Sequence, residues 1–160
     1  MVHDFNGEVV SIQVAKKSGS AMIAVEETRA VVGRGLMGDR YFNQTRGFSD
    51  RAGLGREVTL IEFEAIEALE RDLRIKLDAK DTRRNIVTKG VPLNHLVGRR
   101  FMVGDVFLQG IRLCEPCSYL ESLTMQGVKN GLVHRGGLRA QILNSGTIRV
   151  GDKVKPDMQE

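Results

Sequence analysis

Cys114 and Cys117 are the only cysteines in the 160-residue chain, three positions apart around a proline in Leu113-Cys114-Glu115-Pro116-Cys117-Ser118-Tyr119-Leu120. Thiols at this spacing can bind a metal, cycle as a disulfide, or present a single reactive sulfur. A structural zinc site takes four ligands and the pair supplies two. His95 and His134 would have to complete it, yet the three histidines are scattered, with no spaced H-x-x-x-H pair. A dithiol–disulfide couple has the right local order of strand, C-x-x-C and helix. That motif normally belongs to an early βαβ unit, whereas this one comes late in a β-rich chain with proline inside the pair. The third reading is one working thiolate at Cys117. A helix starting near Pro116, with Leu120 and Leu123 as its apolar positions, would set its N-terminus at that sulfur, and nearby arginines would favour the charged form. Such a sulfur ligates soft metals or carries sulfane sulfur. The plain alternative is that both cysteines are small buried hydrophobes. Residue chemistry alone leaves these last two open.

The second chemistry-bearing feature is arginine, which outnumbers lysine 16 to 8 within a net charge of +4. High-GC codon usage would produce the same bias, and a charge count names no partner. The arginines do stand beside glycines, in Gly33-Arg34-Gly35, Asp39-Arg40, Arg46-Gly47 and Arg135-Gly136-Gly137. Loops of this kind can aim backbone N–H groups and guanidinium forks at one anion. Gly33-Arg34-Gly35-Leu36-Met37-Gly38 is formally a G-x-G-x-x-G after a strand. The residues that follow lack the 3.6-residue apolar period that a dinucleotide-binding helix needs, so the expectation is an Arg-rich flexible loop over 33–56.

The elements that must position these groups are mostly strands. Alternating apolar residues predict strands over 8–14, 22–25, 30–32, 58–61, 99–103 and 106–113, and Arg83-Arg84-Asn85-Ile86-Val87 leads into another. The 99–103 and 106–113 runs pair as a hairpin across Gly104-Asp105, and 138–143 with 147–150 form a second around Asn144-Ser145-Gly146. Val150-Gly151-Asp152-Lys153-Val154 resembles the Gly104-Asp105 corner, a shared barrel-corner device. Phe63, Ile66, Leu69 and Leu73 predict one amphipathic helix over 62–74, its outer face carrying Glu62, Glu64, Glu67, Glu70 and Asp72 as a solvated surface. Pro92 opens a helical turn. Eight to ten short strands with glycine-marked corners and one firm helix predict a mostly β fold, a β-barrel with helical turns at its rim.

Length and composition predict a single domain over 1–160, with 41% hydrophobic and 28% charged residues. No apolar run approaches a membrane span and the start Met1-Val2-His3-Asp4 is no signal peptide, so a membrane is not an expected partner. Two cysteines make no disulfide framework, which points to a reducing cytoplasm. Trp is absent and aromatics are 5%. That composition argues against a base-stacking platform for nucleic acid.

Taken in order, Lys17-Ser18, Gly38-Asp39-Arg40, Arg83-Arg84-Asn85-Ile86-Val87, Cys114-Glu115-Pro116-Cys117 and Arg135-Gly136-Gly137 through Gly151-Asp152 resemble the MOSC domain, named for the C-terminal domain of molybdenum cofactor sulfurase. The resemblance runs over nearly the whole chain and implies a closed, mostly β barrel. It implies that Cys117 is the conserved cysteine, a thiolate ligand to molybdenum in the amidoxime-reducing members, and so the catalytic residue here. It also implies a molybdenum cofactor whose pterin phosphate contacts Lys17, Ser18, Arg40, Arg83, Arg84, Asn85 and Arg135. Arg84 departs from the proline common at its position, and Cys114 is not the expected ligand. The chain carries almost nothing before its first strand, unlike the amidoxime reductases, and is similar to small free-standing bacterial members that reduce N-hydroxylated bases. The resemblance thus implies an oxidoreductase acting on a small N-hydroxylated substrate with an external electron donor. Its alternatives are a sulfur carrier with a Cys117 persulfide, charged by a cysteine desulfurase that would itself hold any pyridoxal phosphate, and a cofactor-binding module without catalysis.

Overall fold

The computed structural model describes residues 4–43 and 54–159. Strands β1 (Gly7–Val14), β2 (Ile23–Val25), β3 (Glu27–Val31) and β4 (Gly35–Leu36) come first, then helix α1 (Arg40–Asn43). After a 3-10 turn at Leu54–Arg56 follow β5 (Val58–Glu62), α2 (Phe63–Leu73), a 3-10 turn at Ala79–Thr82, β6 (Ile86–Lys89) and another at Leu93–Leu96. The chain continues through β7 (Arg100–Val103), β8 (Val106–Leu113), α3 (Ser118–Leu123), α4 (Val128–Gly131), β9 (Leu138–Ile142), β10 (Gly146–Arg149) and β11 (Lys153–Pro156).

Around the barrel the order is β1-β6-β5-β9-β8-β7-β11, and β11 pairs back onto β1 to close it. Closure leaves no free edge on these seven strands. β5 and β6 pair in parallel. A parallel pair needs a long crossover, and α2 supplies it. Alternation then divides the strand side chains between two cores. Val58 and Leu60 of β5, Ile86 of β6 and Leu138 and Ala140 of β9 fill the barrel with Phe101 and Leu108. Ile61 and Val87 face outward and pack with Ile66 and Leu69 of α2, Leu120 of α3 and Val128 and Leu132. The second core therefore fixes α3, the helix that follows Cys117, against the barrel wall.

The expected hairpin between 138–143 and 147–150 does not form: β10 pairs with β3 in a separate three-stranded sheet, order β10-β3-β4. Asn144 causes the divergence. Its Oδ1 accepts from Phe107 N at 2.6 Å and its Nδ2 donates to Asp105 O at 3.1 Å, which ties the turn to the β7–β8 corner. Ser145 Oγ then accepts from Val32 N at 3.1 Å and hands the chain to β3. The 33–56 stretch, expected as flexible loop, holds β4, α1 and the turn at Leu54–Arg56, while residues 44–53 lie outside the described ones. Gly33 and Gly35 have φ of 77° and 102°, and a Cβ on Gly35 would come within 2.8 Å of Glu57 O. These glycines serve a tight β3–β4 hairpin.

The acidic face of α2 is also more than a solvated surface. Glu62 Oε2 accepts from Leu93 N at 3.2 Å and Glu64 Oε2 from Gly90 N at 2.8 Å, so both hold the 90–93 loop. The two Gly-Asp corners meet in space. Gly104 N donates to Lys153 O at 2.8 Å, and a Cβ on Gly104 would lie 2.6 Å from Asp152 Oδ2.

Candidate cofactor site at the arginine cluster

The end of β8 delivers the two cysteines to different environments. Cys114 is 2% exposed and its N–H donates to Gly137 O at 2.7 Å. Cys117 is exposed and caps α3, its Sγ accepting from Leu120 N at 3.5 Å. Between them Glu115 reaches to His134, accepting from its N–H at Oε1 and meeting Nδ1 at Oε2, both at 2.8 Å. His134 has φ of 62°, a left-handed conformation that these contacts help to hold. A Cβ on Gly136 would overlap the Cys114 carbonyl and Pro116, and one on Gly137 would overlap the Leu60 carbonyl. The Arg135-Gly136-Gly137 glycines are thus the dock for the C-x-x-C loop.

Beside this loop, Arg40, Arg83, Arg84 and Arg139 line one small cavity of about 40 Å³ with Asp39, Asn85 and Cys114. Arg84 is 8% exposed and uses all three guanidinium nitrogens on carbonyls: Nε to Gly136 at 2.7 Å, Nη2 to Cys114 at 3.0 Å and Nη1 to Thr82 at 3.3 Å. Burial pulls its pKa below the usual guanidinium range, opposed by Cys114 and reinforced by Arg139. Arg83 stands at φ 61° and donates from Nη1 to Ser20 O at 2.6 Å. Burial and then Arg40 lower its pKa too. Among the described residues no carboxylate forms an ion pair with any of these four arginines.

Asp39 is the acid nearest to them, and it is 2% exposed. Its Oδ1 accepts from Ala15 N at 2.9 Å. Burial raises its pKa, against that hydrogen bond and the charge of Arg40. Asn85 is committed to the fold: Oδ1 accepts from Thr59 N and Oγ1 at 3.1 and 3.2 Å, and Nδ2 donates to Gln13 O at 3.2 Å. Met22 and Arg83 are shared with an adjoining groove of about 370 Å³, which Lys80 and Leu123 also line.

Of the residues expected in the site, Arg40, Arg83, Arg84 and Asn85 come together. Lys17 and Ser18 lie exposed on a turn closed by Ser20, whose N–H donates to Lys17 O at 3.1 Å. That turn reaches the cysteine helix, because a Cβ on Gly19 would be 3.2 Å from Tyr119 Oη. Arg83 joins it through Ser20. Arg135 instead lines a separate cavity with Glu62 and Glu64. Sequence reasoning missed Arg139 and Asp39. Arg139 sits between the barrel-facing Leu138 and Ala140, and that alternation marks it only as an outward residue. Asp39 stood inside Gly38-Asp39-Arg40, but nothing local shows that it reaches across to Ala15.

Four guanidinium groups around one cavity, with Asp39 as the single lining carboxylate and in no ion pair with them, suit an oxyanion. The donor set therefore fits a phosphate group, and Cys117 presents an exposed sulfur outside the residues that line this cavity. Among the described residues no group of three or more His, Cys, Asp or Glu side chains could hold a metal by itself.

The fold has solved counterparts. The YuaD protein from Bacillus subtilis superposes with a TM-score of 0.76 over 96% of this chain and 97% of its own, at 15% identity. YiiM from Geobacillus stearothermophilus gives 0.71 over 94% and 75%, at 14% identity, and YiiM from Escherichia coli 0.65 over 97% and 70%, at 16%. No curated protein sequence matches the chain. The MOSC domain model matches residues 47–155, more than half of the chain. The chain belongs to the MOSC domain family.

Proposed function

We propose that the chain binds a molybdenum cofactor and reduces small N-hydroxylated compounds. The observation that carries this reading is the cavity of Arg40, Arg83, Arg84 and Arg139, which holds four guanidinium groups with no carboxylate ion pair among the described residues. Arg84 is already committed to carbonyls, whereas Arg40, Arg83 and Arg139 are half-buried cations in no ion pair among the described residues, and a phosphate would neutralise them. Arg40 and Arg83 would contact that phosphate, with the Lys17–Ser20 turn above it. Arg84 holds the loop that presents Cys117, through the carbonyls of Cys114 and Gly136. Asn85 keeps the start of β6 in place. The cofactor, when bound through Cys117, would supply two-electron chemistry that accepts an oxygen atom. Overall R–NHOH gains two electrons and two protons to give R–NH2 and water, and an external donor provides the electrons.

Exposure of Cys117 also favours a second reading, in which a cysteine desulfurase transfers sulfane sulfur to that thiol. One sample separates the two. Protein purified from a cofactor-replete host is assayed for molybdenum and pterin, and by mass spectrometry after treatment with a cysteine desulfurase and L-cysteine. The oxidoreductase reading expects molybdenum and pterin near stoichiometry, with the metal lost in Cys117→Ala. The sulfur-carrier reading expects a cyanide-labile gain of one sulfur that depends on Cys117. Absence of both metal and pterin sinks the first, and absence of the adduct sinks the second.

A further inference from the structure

We infer that the cavity between the start of α2 and the loops at Asn94 and His134–Arg135 binds a small zwitterion of the α-amino-acid class. This cavity, of about 280 Å³, is separate from the arginine cluster and shares none of its lining residues. Its helix wall is anionic and its loop wall cationic. Glu62 and Glu64 stand on the helix side, each pinned by one carboxylate oxygen to a backbone amide of the 90–93 loop. Arg135 stands on the loop side, exposed. It lies close enough to lower the pKa of Glu62, which burial otherwise raises, yet no ion pair joins Arg135 to Glu62 or Glu64.

Opposite charges that line one cavity without an ion pair between them leave room for a dipolar ligand. Glu62 cannot swing across without giving up the part-buried Leu93 amide, and Glu64 would give up its bond to the exposed Gly90 amide. An ammonium group offers three donors, which the Glu62 and Glu64 carboxylates and the side-chain oxygen of Asn94 can accept. The ligand carboxylate then meets the guanidinium fork of Arg135. Ala65 and Ala68, one helical turn apart and buried, line the cavity between these charges and suit a short apolar side chain. Arg71 is neutralised by Asp72 at 2.6 Å and takes no part.

The loop wall is also part of the cysteine loop's support. Asn94 Nδ2 donates to His134 O at 2.7 Å, and His134 is gripped by Glu115 of the C-x-x-C. A ligand on Arg135 would therefore sit one residue from the glycines that dock Cys114. The inference does not rest on molybdenum binding, and either can fail alone.

The test is an NMR titration of the full chain, following backbone amides of residues 62–68 and 134–136. The probes are L-alanine, its deaminated counterpart propionate and its decarboxylated counterpart ethylamine, with the other free L-amino acids as a panel. L-Alanine or a larger panel member is expected to give saturable shifts at these amides, with propionate and ethylamine at least about tenfold weaker, because each lacks one charge-assisted contact. Arg135→Gln and Glu64→Gln, both surface changes, should each weaken binding by a similar factor with the rest of the spectrum unchanged. Shifts that fail to saturate for every amino acid, equal affinity for propionate, or full affinity in Arg135→Gln would each overturn the inference.

Discussion

Arg84 Nη2 donates to the Cys114 carbonyl at 3.0 Å, from a guanidinium that is itself buried. The contact ties the start of β6 to the loop carrying Cys117, and Nε extends it to Gly136. Replacing Arg84 by Leu keeps volume but strands three carbonyls. A destabilisation of roughly 2–5 kcal/mol is expected in urea unfolding. Arg84→Lys, with a point charge in place of the fork, should recover only part of it. Stability unchanged in Arg84→Leu would remove Arg84 from the support of the loop.

Gly137 and Gly98 separate conformational strain from steric overlap. Both have positive φ, 112° and 78°. A Cβ on Gly98 meets nothing within 4 Å, whereas one on Gly137 overlaps the Leu60 carbonyl in the middle of β5. Gly98→Ala should cost about 1 kcal/mol from the backbone alone. Gly137→Ala should cost more than about 3 kcal/mol or abolish folding, because backbone must move. Thermal unfolding of both variants checks the ordering.

The strands are legible in the sequence because alternation and glycine corners are local signals repeated strand by strand, whereas closure pairs Gly7 with Val154 and follows only from the family resemblance. Pairing of β10 is not legible. Asn144 looks like an ordinary hairpin residue, and its diversion of the chain depends on Phe107 and Asp105, nearly forty residues away. The site divided in the same way. Arg40 and the C-x-x-C stand out by type and neighbours, whereas Arg83 and the molybdenum-ligand role of Cys117 follow from the family resemblance. The work of Arg84 on the loop carbonyls, and the partnership of Asp39 with Ala15, depend on contacts that no spacing reveals.

Asp39, Glu57 and Glu62 predict the acid side of the stability profile. Burial raises each above its ordinary value of 3.8 or 4.5. The folded state then holds more protons than the unfolded state from about those values up to the raised ones. Their contribution to stability is therefore fully present below the ordinary values and declines as pH rises through the folded ones. Asp39→Asn can still accept from Ala15 N and cannot ionise. Its stability relative to the parent should improve as pH rises from about 4 towards neutrality, measured by urea unfolding at each pH. A constant difference across that range would show that Asp39 does not titrate as its burial requires.

The two cysteines differ in access, and reagent kinetics should resolve them. Cys117 is exposed, while Cys114 lies under the loop with its carbonyl and N–H both bonded. An aromatic disulfide reagent should therefore titrate one thiol rapidly in the native chain and the second only on unfolding, at least about a hundredfold slower if opening costs some 3 kcal/mol. Cys117→Ser should abolish the fast phase and Cys114→Ser should leave it. Arg84→Leu should narrow the gap, because it frees the segment that covers Cys114. Two thiols reacting together in the native chain would mean that the loop does not hold Cys114 closed, and the asymmetry that singles out Cys117 would be lost.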